Sequence, residues 1–205
     1  MTYPTFRRRR RRRALAAVVV AAVILAFAFA VTLARSDRQA SREYLDGAFD
    51  VATGHEDLAA QFADLVDRLR ELDRAVVTQR LDLLVADAGV LVDELGRLDA
   101  PGSGDLFRAD SFLTIAVASW RDGLTGFRQA ILTLSNDPLD ETGRAQVEAA
   151  LNDLGVGDAA YDEFQSTVRV IPEAEALAVP FPGVEYIPAD RIEDFTTDVI
   201  GRKMQ

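Results

Sequence analysis

The chain holds a single histidine, His55, and it stands beside two carboxylates in the run His55-Glu56-Asp57. An imidazole next to acids is the pairing that proton transfer or a transition-metal site uses, so this triplet is where histidine-dependent chemistry could arise. Its spacing argues for structure instead. Residues adjacent in sequence do not share a helix face, and acidic side chains in a first helical turn already suit the helix dipole. A metal would also need ligands converging from other helices, and no E-x-x-H or H-x-x-x-H pattern supplies them. With no cysteine in the chain, disulfides, thiolate nucleophiles and Cys-ligated zinc or iron–sulfur centres are excluded.

The remaining chemical candidates resolve the same way. The acids around Asn136, Asp137, Asp140 and Glu141 fail the calcium-loop spacing, because Pro138 or Leu139 falls on a required ligand position whichever acid is taken first. They read as turn and cap residues. Gly102-Ser103-Gly104 and Gly155-Val156-Gly157 follow no strand and no Gly-Lys-Ser/Thr occurs, so they read as helix breakers and not as phosphate cradles. A Ser-His-Asp triad has neither a nucleophile elbow nor a strand framework, and nothing singles out two of the 33 acids as a glycosidase pair. Trp120 lies on an apolar seam and reads as core. Arg121 and Arg128, seven apart on one face, read as a solvated or salt-bridged surface. The expectation is a protein that is not an enzyme and uses no cofactor or metal.

The elements that must carry these residues are helices. Leu58, Phe62, Leu65, Leu69, Leu72 and Val76 are spaced alternately by four and three, and after a one-residue phase shift Val77, Leu81, Leu84, Ala88, Leu91, Leu95 and Leu98 continue the alternation. Thr53-Gly54-His55-Glu56 has the form of a capping box and Pro101-Gly102 that of a stop, which predicts one helix of about 45 residues over 54–99, weakest at Gly89 and Gly96. Leu106, Leu113, Val117, Trp120, Leu124, Phe127, Ile131 and Leu134 predict a second over 104–134. A third is predicted to open at Asp137-Pro138, to break at Gly155-Val156-Gly157, and to resume behind Asp158 as a new N-cap through Tyr161, Phe164, Val168 and Ile171. Tyr44, Ala48, Phe49 and Ala52 mark a short helix upstream.

Short connections between long helices make neighbours antiparallel, so the fold class is all-α: an up-and-down bundle of three to four helices. The sustained heptads could also zip two copies into a coiled coil, against which the phase shift at Val76 and Val77 argues mildly. Beyond Ile171, Pro172, Pro180, Pro182 and Pro188 exclude a helix and predict an extended segment. It reads as a strap laid along the bundle, the alternative being a docking segment that a partner captures. A short polar helix over 190–200 ends the chain.

Ahead of the bundle, residues 14–34 carry no charge and one polar side chain, Thr32. Twenty-one such residues reach roughly 30 Å as a helix, the thickness of a bilayer core. This predicts a transmembrane helix retained as an anchor, since the run exceeds a signal-peptide core, although Ala26-Phe27-Ala28 and Ala28-Phe29-Ala30 have the form of cleavage sites. Arg7, Arg8, Arg9, Arg10, Arg11, Arg12 and Arg13 outnumber Arg35, Arg38 and Arg42 across it, which places the N-terminus in the cytoplasm and the rest outside. The same arginines are expected to lie on anionic lipid. They have no aromatic or base-reading neighbours, so no nucleic-acid partner is expected.

All 33 acids lie beyond position 34 while seven of the 23 basic residues are this run, so the net charge of −10 divides into a tail of +7 and a body of −17. The organisation is therefore a basic cytoplasmic tail (1–13), a span (14–34), an extracytoplasmic bundle (35–171) and a Pro-rich tail (172–205). The composition, rich in Ala, Arg, Asp, Val and Leu with a single Lys, is the kind a GC-rich bacterial genome encodes. This plan is similar to that of chemoreceptor-type sensor domains, without their second span or inward signalling segment. The expected role is a membrane-anchored interaction or scaffold module with a protein partner or a homodimer formed through the bundle or the Pro-rich tail. The alternative is a ligand-sensing bundle that works with a separate signalling partner.

Overall fold

The computed structural model describes residues 38–99, 104–172, 174 and 180–204. The chain divides into two compact units, 1–40 and 41–205. Of the first, residues 38–40 are described and are helical; Arg7–Arg13 and the apolar stretch 14–34 lie outside the described residues. Among the described residues every regular element is helical, and no helix is long and apolar enough to cross a membrane.

In the second unit, α1 is helical at every residue 41–68. Its buried stripe runs Tyr44, Ala48, Val51, Ala52, His55, Leu58, Ala59, Phe62, Leu65, Leu69, a helical period that begins well before the expected start at 54. Thr53 is thus no cap. It lies mid-helix and its hydroxyl donates to the Phe49 carbonyl at 2.9 Å.

The single helix expected over 54–99 is two helices. The chain turns after α1, with Glu71 and Leu72 N–H both returning to the Arg68 carbonyl, and α2 (Arg74–Leu95) begins behind an extended Asp73. The phase shift at Val76 and Val77 was the trace of this turn: two seams on separate helices need not share a register. Asp64 pairs with Arg80 at 2.7 Å, and Gly54 faces Leu91, so α2 runs back along α1. A Cβ on Gly54 would stand 2.7 Å from Leu91 Cδ2, so glycine is what lets the two helices close there.

α3 (Asp105–Leu134) returns beside α2, joined by the Arg128–Asp82 ion pair and by Arg74 donating to Asn136 at 2.8 Å. Its expected seam from Leu106 to Leu134 is buried throughout. α4 (Glu141–Val168) starts three residues later than expected, because Asp140 is the cap, its Oδ1 accepting from Gly143 N–H at 2.7 Å, while Asp137 accepts from Leu139 N–H in the turn. α4 then passes unbroken through Gly155, Val156, Gly157 and Asp158. Each glycine costs about 1 kcal/mol against Ala, whereas burying a side chain such as Leu154 or Phe164 contributes about 1.5–3 kcal/mol, so packing overrides the breakers. Contacts from Thr133–Gln146 through Gly123–Leu154 to Trp120–Asp158 make α3 and α4 antiparallel. Contacts Tyr44–Asp110, His55–Trp120 and Phe62–Phe127 keep α1 and α3 parallel. The described unit is thus an up-and-down bundle.

Over 180–188 the Pro-rich segment is non-helical, bends at Tyr186 and Ile187, and follows the α1–α4 side of the bundle. Phe181 sits edge-on to Phe49 and Phe164, and Val184 and Tyr186 are buried. The terminal helix comes as two pieces, a 3-10 helix over Ala189–Phe195 and α5 over Thr197–Lys203, separated at Thr196, whose extended backbone and hydroxyl cap α5. Arg191 pairs with Asp67, and Lys203 donates to the Val66 carbonyl at 3.0 Å, so both pieces are tied to the end of α1.

Candidate functional site

The polar groups that the fold buries together meet halfway along the bundle. α1 carries His55 into the core, where its exposure is 0%. Its ring lies 4.7 Å from Trp120 of α3, centroid to centroid, and its Nδ1 is 3.0 Å from the Tyr186 hydroxyl of the Pro-rich segment. His55 Nε2 is buried without a hydrogen-bond partner. A neutral imidazole offers one donor and one acceptor, so either tautomer leaves one group unsatisfied, at about 1–3 kcal/mol. Burial pushes the imidazole down from 6.5 to about 3, which keeps it neutral through the physiological range.

Asp158 of α4 completes the cluster. Its Oδ1 accepts from Trp120 Nε1 at 2.8 Å and from Tyr186 N–H at 3.0 Å, and its Oδ2 from Ile187 N–H at 2.9 Å. Burial raises its carboxyl above the ordinary range, opposed by those three hydrogen bonds, with Glu185 nearby adding to the rise. The expectation of Asp158 as an N-cap is therefore corrected: its side chain reaches across to another helix and to the strap. Trp120 can approach because residue 157 is glycine, where a Cβ would stand 2.3 Å from Trp120 Cδ1. One turn on, Tyr161 OH and Gln165 Nε2 both donate to the Pro182 carbonyl, at 2.8 and 2.7 Å. Burial raises the phenols of Tyr161 and Tyr186.

Chemically, the cluster holds a neutral imidazole, the partly buried carboxyl of Asp158 and two protonated phenols; Asp158 and Tyr161 bond the backbone of the Pro-rich segment, and His55 bonds the Tyr186 hydroxyl. Glu56 and Asp57, the sequence neighbours of His55, make no hydrogen bond to it and are both exposed on the helix surface. Among the described residues no group of three or more His, Cys, Asp or Glu is placed to hold a metal. Arg121 is answered by Asp122 at 2.7 Å and Arg128 by Asp82, so the two do not form an anion clamp. The Arg7–Arg13 run lies outside the described residues.

Sequence reading placed Trp120 in the core and missed Asp158, Tyr161, Gln165 and Tyr186 as partners. One signal was available for His55: it continues the stripe Ala48, Val51, Ala52, Leu58, Phe62 at helical spacing once the helix is allowed to begin earlier. No protein-family model matches the chain, and neither does any curated protein or solved structure.

Proposed function

We propose that the chain is a single-pass membrane protein, anchored by residues 14–34 with Arg7–Arg13 on the cytoplasmic side, whose acidic extracytoplasmic bundle is a non-catalytic interaction module. The observation that carries this reading is how the side chains are divided between inside and outside. His55 is buried and Asp158 partly buried, and both are bonded to the strap. Outward, α2 presents Val76, Leu83 and Val90, 37%, 56% and 52% exposed and seven residues apart. Scattered apolar residues are ordinary on a surface, but a heptad-spaced line on one helix is the pattern that packs against another helix. Beside Leu83, an open groove of about 510 Å³ lies between α1 and α2, lined by Ala60, Gln61, Asp64, Arg80 and Leu84.

A photo-crosslinking residue in place of Leu83, in intact membranes at native expression, tests this role. The expected result is a discrete adduct with a partner or a second copy, absent when the probe is moved to Asp57. Equal labelling at both positions, or none at Leu83, contradicts it.

A further inference from the structure

Where α1 turns into α2, the end of the bundle carries an open cleft of about 410 Å³, within the usual size of a small-molecule site. The turn, the start of α2, the end of α3 and α5 all contribute to it. Its floor is apolar, with Leu69 and Val77 buried, and its rim carries Arg70, Arg74, Ser135 and Lys203, the single lysine of the chain. No acidic side chain lines it. In a body of −17 this is a local reversal of charge.

The hydrogen bonds that hold these cations go to neutral groups. Arg74 donates to Asn136 at 2.8 Å and to the Ser135 carbonyl at 3.5 Å, and Lys203 to the Val66 carbonyl at 3.0 Å. Arg70 is exposed and has no hydrogen bond or ion pair among the described residues. The nearby acids are turned elsewhere. Glu71 lies 3.8 Å from Arg68, Asp137 accepts from Leu139 N–H, and Asp67, 4.0 Å from Lys203, is paired with Arg191. Asp73 is exposed and its side chain does not cap α2. Guanidinium groups grip carboxylate or phosphate oxygens with paired N–H donors. A phosphate monoester, with close to two negative charges at neutral pH, answers three cations better than one carboxylate does. The apolar floor adds a seat for the group that the phosphate carries.

We propose that this cleft binds a phosphate monoester of a small apolar group, the phosphate held by Arg70, Arg74 and Lys203 and the apolar part laid over Leu69 and Val77. Phenyl phosphate is the probe, titrated calorimetrically into the full chain in nanodiscs of neutral lipid, with phenol and inorganic phosphate as its two halves. The expected result is saturable binding of phenyl phosphate, about tenfold or more tighter than that of either half. Arg70→Gln should weaken it about tenfold and leave the urea midpoint unchanged, since Arg70 holds no contact of the fold. Arg97→Gln removes the same charge just beyond the other end of α2 and should leave the affinity unchanged. Equal weakening by the two variants, or no binding, overturns the site, and either half binding as tightly as the whole overturns the ligand class. Nanodiscs containing phosphatidate separate the sources of such a phosphate: weaker phenyl phosphate binding there assigns the site to a lipid headgroup, and unchanged binding assigns it to a free solute. A chain that crosslinks from Leu83 yet binds no phenyl phosphate loses this inference and keeps the interaction role.

Discussion

Acid should loosen this bundle through one residue. His55 is neutral in the folded chain, held down to about 3 by burial, and returns to about 6.5 when the chain unfolds. The unfolded state therefore binds the extra proton, so the contribution is fully present above pH 6.5 and is lost as pH falls from there toward 3. Between pH 7.5 and pH 5 the loss is about 2 kcal/mol, from one and a half pH units at about 1.4 kcal/mol each. Asp158, whose carboxyl is raised, works in the opposite direction, and the many surface carboxylates add slopes of their own. A comparison of wild type with His55→Phe cancels those shared slopes. Urea titrations followed by Trp120, the sole tryptophan and in ring contact with His55, give the stabilities at both pH values. The wild type should lose about 2 kcal/mol more than His55→Phe on going to pH 5. Equal losses would mean that His55 is solvated in the folded chain or finds an acceptor for its proton, contrary to its buried, neutral state.

Other expected outcomes follow from single contacts. Gly157→Ala should destabilise by about 1–3 kcal/mol by driving a methyl into Trp120, whereas Gly89→Ala, with open space at its Cβ, should stabilise by about 0.5–1 kcal/mol; denaturant midpoints decide both. Asp158→Ala should cost about 3 kcal/mol or more, since it strands Trp120 Nε1 and two backbone N–H groups, and limited proteolysis should then cut within 180–187. Asp140→Ala should cost about 1 kcal/mol as a lost cap. Thr53→Val should change thermal stability by less than that, its hydroxyl bonding back within the helix.

What could be read from the chain alone was periodicity. The seam from Leu106 to Leu134 needed only the 3.6-residue period, and all of its residues are buried. Boundaries were harder, because they are set by competition. The turn between α1 and α2 carries no proline or glycine, and its sign was a one-residue slip in the apolar pattern. Gly155 and Gly157 have the form of a break, yet the energy of packing around them exceeds their propensity cost. The buried cluster was beyond sequence reasoning for a different reason. His55 and Tyr186 are 131 positions apart, and Asp158 meets Trp120 only because two helices lie antiparallel. A carboxylate after a glycine looks the same in sequence whether it caps its own helix or reaches across to a strap.

Where the bundle resides decides the proposed role. A topology reporter fused after residue 40 in intact cells measures it directly. Activity on the extracytoplasmic side, in a chain that still carries residues 1–13, is the expected result. A reporter active only in the cytoplasm would contradict it.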